Sequence, residues 1–383
     1  MNLAQHTTNY VTKRCASIIL AICASLPFSC CAPLQPISDE NIQVSITKWH
    51  DNHRAAISIT HDAGWVSAET VGRVNALVVE QNLHLGYEMV TSTFREYPEL
   101  LTYARNSMSN RYFSFFGHGD THINHDALGY DSALASFTKC AETMKNFGFR
   151  PIAYAYPHGA GFLPETQRAL ANAGFLSARG FSFEKGEASL IMPDSTRLPK
   201  NWYLLPSLVM QDIAFEGCDS CINSNAELVP YLDAAIRRGA WLTNTYHAIG
   251  DDKGWGYYKF SEFQADLASI KMRDFWCASL EDVTLYIRER ANTRIQTTML
   301  KTVNTSFGAS STKGVEITLS DNLDNTLFNF PLTVRLVPPT SWVGKKATVR
   351  QNAQTVQPIF SVTDTLFLHL LPNETPYSVI IEQ

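Results

Sequence analysis

Apolar, strand-like runs alternate with helical patterns from about residue 44 to residue 293. The strand-like runs are 55–60, 112–116, 152–156 and 241–246. The helical patterns are 228–236 with a stop at Gly239, a segment from Pro164 to Gly174, and a last helix capped by Ser279 and Asp282 that reaches about Arg290. Continuous apolar strands between helices are typical of a parallel sheet covered on both faces. The pattern therefore predicts an α/β fold, a (β/α) barrel over residues 44–293.

The pattern changes after about Asn292, where helical periodicity ends and Thr, Ser, Asn and Val become common. Short strand-like runs follow at 315–319, 332–336, 347–350, 366–371 and 377–381, separated by Pro, Asn and Gly. Such a series predicts a small β-sandwich as an accessory module over residues 294–383. A chain of 383 residues is also longer than the usual single domain, which agrees with two modules.

The N-terminus has the layout of a secretory signal peptide. Lys13 and Arg14 precede an apolar stretch, 15–28, and small residues then lead to Ala32. We therefore predict a signal peptide over residues 1–32 and an exported protein, either periplasmic or secreted. Lipid attachment at Cys30 or Cys31 is an alternative, although residues 26–29 match a lipobox poorly, and an uncleaved anchor helix is another.

Composition and charge exclude some partners. The net charge is −5, so no basic field attracts nucleic acid or an anionic membrane, and no protein partner is evident. Cys218 and Cys221 have the spacing of half a zinc ribbon or of a redox pair, but no second pair completes a four-ligand site. We expect a local disulfide there. Cys140 and Cys277 are interpreted as buried residues or as a bridge.

Polar residues follow the four predicted barrel strands, in the segments Thr60-His61-Asp62-Ala63-Gly64, His118-Gly119-Asp120-Thr121-His122, Ala155-Tyr156-Pro157-His158-Gly159 and Tyr246-His247-Ala248-Ile249-Gly250. A barrel presents the carboxyl ends of its strands at one mouth, so these segments should meet there. In their order and strand context they resemble the motifs of the polysaccharide deacetylase family, the NodB homology domain of carbohydrate esterase family 4. The resemblance spans residues 44–293 and implies the irregular barrel of that family.

The resemblance also implies a divalent metal, expected to be zinc. His118 and His122 match the family's two histidine ligands, and their four-residue spacing allows both imidazoles to converge. Ala63 stands where the family has a metal-binding aspartate, so the ligand set is incomplete. Three alternatives follow: Asp62 binds the metal, His61 supplies the third ligand, or no metal binds tightly. Neighbouring strand residues point to opposite faces, so we expect Asp62 rather than His61 near the metal.

Catalytic and binding roles follow from the same resemblance. Asp62 matches the general base, His247 matches the general acid that protonates the leaving amine or alkoxide, and Asp194 is a weak candidate to orient His247. A competing interpretation of Asp62 is that it caps the following loop. The residues expected to bind substrate are Tyr156, Pro157, Gly159 and Trp255, with Tyr156 or Trp65 stacking on a sugar ring. His125 either extends the metal cluster or lies in a solvated loop.

The resemblance implies an exported, metal-dependent hydrolase that removes N- or O-acetyl groups from an acetylated polysaccharide or cell-wall glycan. Ala63 keeps a second hypothesis open, a catalytically weakened barrel that binds glycan without converting it. A third is a metal-dependent hydrolase of a non-acetyl C–N bond in a small molecule. The predicted export argues against the third.

Overall fold

The computed structural model describes residues 41–64, 66–107, 109–182, 186–193, 199–212, 218–252, 254–300 and 313–382. The predicted leader, with Cys30 and Cys31, lies outside the described residues, as do Trp65 and Asp194. The signal peptide and the lipid anchor therefore stay predictions. Among the helices of the described ranges, none has the length and apolar character needed to cross a membrane.

Strands and helices have the following bounds. The strands are β1 (Gln43–Ile46), β2 (Ala55–His61), β3 (Leu85–Met89), β4 (Phe113–Gly117), β5 (Ala153–Ala155), β6 (Ser177–Arg179), β7 (Leu208–Val209), β8 (Trp241–Tyr246), β9 (Phe275–Cys277), β10 (Arg294–Leu300), β11 (Lys313–Ser320), β12 (Leu332–Val337), β13 (Ala347–Gln351), β14 (Gln354–Ile359), β15 (Leu366–Leu370) and β16 (Tyr377–Ile381). The α-helices are α1 (Ala68–Gln81), α2 (Thr91–Glu96), α3 (Pro98–Ser107), α4 (Tyr130–Asn146), α5 (Pro164–Asn172), α6 (Asn225–Arg238), α7 (Phe260–Lys271) and α8 (Leu280–Asn292).

The parallel strands form a barrel. They are ordered β6-β5-β4-β3-β2-β8-β7, and β9 pairs with the first half of β2. The segment before β7 also reaches β6, because Leu205 N donates to Ala178 O at 2.8 Å and Ser182 N donates to Ser207 O at 2.8 Å. These bonds join the two ends of the strand order, so the sheet closes on itself. The predicted (β/α) barrel is confirmed.

Alternation along β2 separates the two faces of this barrel. Ile57 and Ile59 pack in the same core cluster as residues of the outer helices, including Val74 and Val78 of α1. Ala56 packs instead in a second cluster, with residues of α8. Each buried aliphatic side chain of the size of valine or isoleucine stabilises the fold by about 1.5–3 kcal/mol. The core on both faces of the strands is therefore well packed, and it holds the polar side chains at the carboxyl ends of the strands in place.

The helix boundaries predicted from capping residues are present. Gly239 follows α6 with φ of 61°, the left-handed conformation that glycine adopts readily at a helix end. Pro164 begins α5. The Ser279 hydroxyl accepts a hydrogen bond from Asp282 N at 2.9 Å and so caps α8.

Two antiparallel sheets form the C-terminal module, with strand orders β1-β12-β15 and β10-β11-β16-β13-β14. Alternate residues of both sheets pack together, for example Val315 and Ile317 of β11 with Val334 and Leu336 of β12. The all-β module is thus a sandwich, as predicted. Its strand β1 comes from the chain before the barrel, so Gln43–Ile46 belongs to the sandwich although the predicted barrel range begins at residue 44. The predicted domain boundaries otherwise stay a prediction.

Candidate active site

Three potential metal ligands converge at the mouth of the barrel. Asp62 follows β2, and His118 and His122 follow β4. His118 Nε2 lies 3.4 Å from Asp62 Oδ2, and His122 Nε2 lies 3.9 Å from the same oxygen. One ligand atom from each residue lies within 4.8 Å of the other two. The structure therefore brings together the two predicted histidines and Asp62, as expected for the first of the three alternatives.

Hydrogen bonding fixes the orientation of His118. Its Nδ1 lies 2.9 Å from Ala155 O, which can only accept, so Nδ1 carries the proton. Nε2 is buried and makes no aligned hydrogen bond with any residue in the described ranges. This nitrogen faces Asp62 and His122. Such a carbonyl contact is the usual way in which proteins orient a ligating imidazole.

Charges around the cluster perturb its titration. Burial works against ionisation of Asp62, but His118, His247 and His122 together hold the pKa of this carboxyl far below its usual range. Burial also opposes protonation of His118, but the Asp62 and Glu88 charges raise its pKa. The pKa of His122 is lowered by burial and by His118. Asp62 is therefore ionised, protonation is favoured at His118, and protonation is disfavoured at His122.

Asp62 also caps its own loop. Its Oδ1 accepts a hydrogen bond from Gly64 N at 3.3 Å, while Oδ2 faces the two histidines. The two interpretations of this residue are therefore compatible, because each oxygen makes a different contact.

His61 does not reach the ligand cluster. Its side chain is fully buried, its Nε2 donates to His247 O at 2.5 Å, and its ring centroid lies 5.5 Å from that of Tyr87. Strand alternation turns it away from Asp62, as expected. The alternative in which His61 supplies the third ligand is wrong.

His247 lines the same cavity as the ligand cluster. The cavity has a volume of about 610 Å³, and its lining includes Asp62, Val66, His118, His122, Tyr156, His158, Arg179, Phe181, His247, Ala248 and Trp255. Burial lowers the pKa of His247 to about 4. Its Nδ1 has no hydrogen-bond partner among the residues that the structure describes, and its ring meets Trp255 edge to face at 4.5 Å. His247 is therefore a neutral imidazole held beside the cluster.

The predicted substrate-binding residues divide into two groups. Trp255 is 54% exposed and lines the cavity, so its ring is accessible to a ligand. Tyr156 lines the cavity but its side chain is fully buried, so the expectation that its ring stacks on a sugar is wrong. Pro157 and Gly159 are buried and lie outside the cavity lining. Gly159 has φ of 65°, and a Cβ there would lie 2.8 Å from the Phe181 ring, so glycine lets Phe181 form the wall.

Two charged residues of the site were not predicted. Glu88 on β3 and Arg179 on β6 are buried and form an ion pair, and Arg179 also lines the cavity. Thr60 Oγ1 donates to Glu88 Oε1 at 3.1 Å, and Glu88 Oε2 lies 3.3 Å from His118 Nδ1. The sequence did contain one signal for this pair, because Glu88 is a charged residue within an otherwise apolar strand. A buried charge requires a partner, so a cationic residue nearby could have been expected.

His125 belongs neither to the metal cluster nor to a solvated loop, so both expectations for it are wrong. Its side chain is fully buried, and its ring stacks on Phe137 with centroids 4.2 Å apart. Its Nε2 lies 3.0 Å from Ser136 Oγ. Packing against α4 therefore removes it from the mouth of the barrel.

The cysteines also have defined positions. Cys218 and Cys221 form the expected disulfide bond. Cys140 on α4 is buried, Cys277 on β9 is half-buried, and both are free thiols rather than a bridge.

No family model matches the chain, and no curated protein matches it. Solved structures do match. One is a proposed polysaccharide deacetylase from Mycobacterium smegmatis, 16% identical, with 64% of this chain and 93% of that chain covered and a TM-score of 0.46. Another is BA3943, a CE4 family pseudoenzyme from Bacillus anthracis, 11% identical, with coverages of 61% and 66% and a TM-score of 0.39. Peptidoglycan deacetylase PdaC from Bacillus subtilis is 14% identical, with coverages of 62% and 93% and a TM-score of 0.39.

Two of these matched proteins are described as a polysaccharide or a peptidoglycan deacetylase, and the third is described as a pseudoenzyme of the CE4 family, which is the family that the four motifs resemble. Their identities and TM-scores are low, so the chemistry of this protein is inferred from the geometry of its own site.

Proposed function

We propose that this protein is an exported, metal-dependent deacetylase that removes N- or O-acetyl groups from a polysaccharide. The observation that carries this proposal is the convergence of Asp62, His118 and His122 within 4.8 Å, in the wall of the cavity that His247 also lines. A carboxylate, two imidazoles and a proton-transfer group in one cavity are the parts that hydrolysis of an acetyl amide or ester requires.

The three ligands fit a divalent transition metal. Two imidazole nitrogens and one carboxylate oxygen suit zinc, and three protein ligands leave a position open for water or substrate, as in catalytic zinc sites. The buried Nε2 of His118, directed into the cluster, supports this fit. A bound metal would lower the pKa of a water molecule and polarise the acetyl carbonyl.

The protein groups then divide the remaining work. Asp62 faces both histidines, so we infer that it holds the metal rather than acting as a separate base. No other carboxylate lines the cavity within the described ranges. We therefore infer that His247, a neutral imidazole, accepts the proton that the attacking water loses and then donates it to the leaving amine or alkoxide.

The cavity supports a carbohydrate substrate. Trp255 lines the cavity and is exposed. An exposed aromatic ring can pack against the apolar face of a sugar ring. Arg179 and His158 add polar groups to the same wall. The disulfide between Cys218 and Cys221 supports export, because such bonds persist in oxidising compartments.

An acetate-release assay on a panel of acetylated glycans tests the proposal. Wild-type protein loaded with zinc should release acetate from at least one glycan, and His247→Ala should lower the rate by about 10²- to 10⁴-fold while folding normally. The matched control is His53→Ala, which removes a partly exposed histidine bonded to Asp274 away from the cavity. Equal rates for His247→Ala and wild type would refute the assignment of His247.

Metal analysis tests the ligands separately. His118→Ala/His122→Ala should contain one equivalent of metal less than wild type, and His53→Ala should be unchanged. Equal metal content in the double variant and in wild type would contradict the proposed site.

One other function, binding of glycan without conversion, stays a hypothesis from the sequence, because Ala63 stands where the family that the motifs resemble has a metal-binding aspartate. Under that hypothesis wild-type protein binds a glycan of the panel but releases no acetate from any of them.

A further inference from the structure

Glu88 places a second buried carboxylate beside the ligand cluster. It lies on β3, the strand between β2 and β4, and these two strands lead to Asp62 and to His118. Its side chain is fully buried, and its Oε2 lies 3.3 Å from His118 Nδ1. The carboxylate therefore approaches His118 at the ring nitrogen that does not face Asp62, and it leaves Nε2 available to a metal.

The contact between Glu88 and His118 is electrostatic rather than a hydrogen bond. The Nδ1 proton of His118 is donated to Ala155 O at 2.9 Å, and Glu88 Oε2 accepts no hydrogen bond from the residues that the structure describes. A buried carboxylate oxygen without a donor costs free energy, so its presence requires an explanation. A metal bound at Nε2 would draw electron density from the imidazole, and Oε2 is placed to stabilise the positive charge that the ring then carries.

Neighbouring residues hold this carboxylate in place. Glu88 Oε1 accepts hydrogen bonds from Arg179 Nη2 and from Thr60 Oγ1, the latter at 3.1 Å. One oxygen is thus fixed by its partners while the other faces His118. Because the group lies in the interior, where the effective dielectric constant is low, its charge acts on the imidazole with less screening than at the surface.

We propose that Glu88 is a positioning residue of the metal site, which acts through His118 to raise the affinity for a divalent metal. This inference rests on the proposed function, because it uses the ligand set of Asp62, His118 and His122. Ala63 leaves that set with a single carboxylate, and Glu88 adds a second negative charge without entering the coordination sphere. Loss of such an outer partner of a metal-bound histidine typically weakens metal binding by about 10- to 100-fold.

Isothermal titration of zinc into apo forms of the full-length chain tests the inference. Glu88→Gln should bind zinc about 10- to 100-fold more weakly than wild type. Arg179→Met should bind zinc at least as tightly as wild type, because it removes a positive charge from the surroundings of the site. Both changes break the same buried ion pair, so a merely structural role of Glu88 would weaken zinc binding in both variants.

Two further variants serve as controls for stability. Arg179→Met/Glu88→Gln has no unpaired buried charge, so it keeps the test valid if one of the single variants is unstable, and it should bind zinc more weakly than Arg179→Met. Glu289→Gln also alters a fully buried carboxyl, but Glu289 lies on α8, outside the cavity lining. It should bind zinc as wild type does.

Cobalt substitution reports on the ligand set independently of activity. The visible absorbance per bound cobalt should be the same in Glu88→Gln and in wild type, because Glu88 is not a ligand, whereas His118→Ala should change it. A change in Glu88→Gln as large as that in His118→Ala would mean that Glu88 binds the metal directly, and the positioning role would be wrong.

The zinc titration also separates this inference from the proposed function. Equal zinc affinity in wild type and Glu88→Gln would overturn the role of Glu88 and leave the proposed function intact. A loss of affinity in Arg179→Met similar to that in Glu88→Gln would do the same. Absence of zinc binding in wild type would instead contradict the proposed function, and this inference with it.

Discussion

Individual side chains determine which residues can hold the metal at the barrel mouth. Asp62 directs one oxygen to the two histidines and the other to Gly64 N. The next residue, Ala63, packs against the outer hydrophobic core and is not part of the cavity lining. Asp62 thus supplies the carboxylate of the ligand cluster that the described residues form with His118 and His122.

Ala63→Asp should not improve metal binding, because position 63 faces the core rather than the ligands. Instead, a carboxylate in a partly apolar environment should lower the melting temperature. Isothermal titration of zinc into the apo forms of wild type and Ala63→Asp measures the first effect. A clear gain in affinity in the variant would show that residue 63 reaches the metal, and that the orientation inferred for this position is wrong.

Barrel strands are linked by the ion pair of Glu88 on β3 and Arg179 on β6. Both side chains are almost completely buried, and His118 lies 3.3 Å from the same glutamate. A buried pair contributes little net stability compared with apolar residues, but removal of one partner leaves an uncompensated charge.

Arg179→Met should therefore destabilise the protein by about 3–5 kcal/mol, because it would leave Glu88 buried without its cationic partner. Arg179→Met/Glu88→Gln should recover a substantial part of that loss. Urea unfolding of wild type, both single variants and the double variant measures the coupling. Additive losses in the double variant would mean that the two side chains do not depend on each other.

Helix α8 packs against both the barrel and the sandwich, and it carries Glu289. This side chain is fully buried, and its Oε1 accepts a hydrogen bond from Phe330 N at 2.9 Å, just before β12. Its Oε2 has no hydrogen-bond partner in the described ranges. Burial raises the pKa of Glu289 to about 8.

Glu289→Gln should flatten the pH dependence of stability. A carboxyl with a raised pKa in the folded state stabilises the fold fully below its unfolded pKa of about 4.5, and this contribution is lost as the pH rises toward 8. A difference of one unit between the folded and unfolded pKa values corresponds to about 1.4 kcal/mol of stability. The glutamine side chain of the variant does not titrate, so this contribution does not change with pH in the variant. Melting temperatures from pH 5 to pH 9 should fall less for Glu289→Gln than for wild type. Glu80→Gln, at an exposed position of α1, is the control and should follow wild type.

The sequence by itself determined the features that depend on neighbouring residues. Apolar runs predicted the central barrel strands, and Gly239, Pro164 and Ser279 predicted helix boundaries, because strand burial and helix capping are local. The same pattern did not predict β3, β10 and β14, whose residues are less continuously apolar or more polar. The spacing of His118 and His122 was sufficient to predict that they converge, since both belong to one short segment.

Only the tertiary structure decided contacts between distant residues. Alternation indicated that His61 and Asp62 face opposite ways, but packing decided that Asp62 is the one beside the histidines. The partner of Glu88 lies 91 residues away, and His369 meets Asp51 across 318 residues. Periodicity shows which face of a strand is buried but not which residue lies opposite, because that depends on how the sheets close and pack. For the same reason β1, which precedes the barrel in sequence, could be assigned to the sandwich only from its hydrogen bonds to β12.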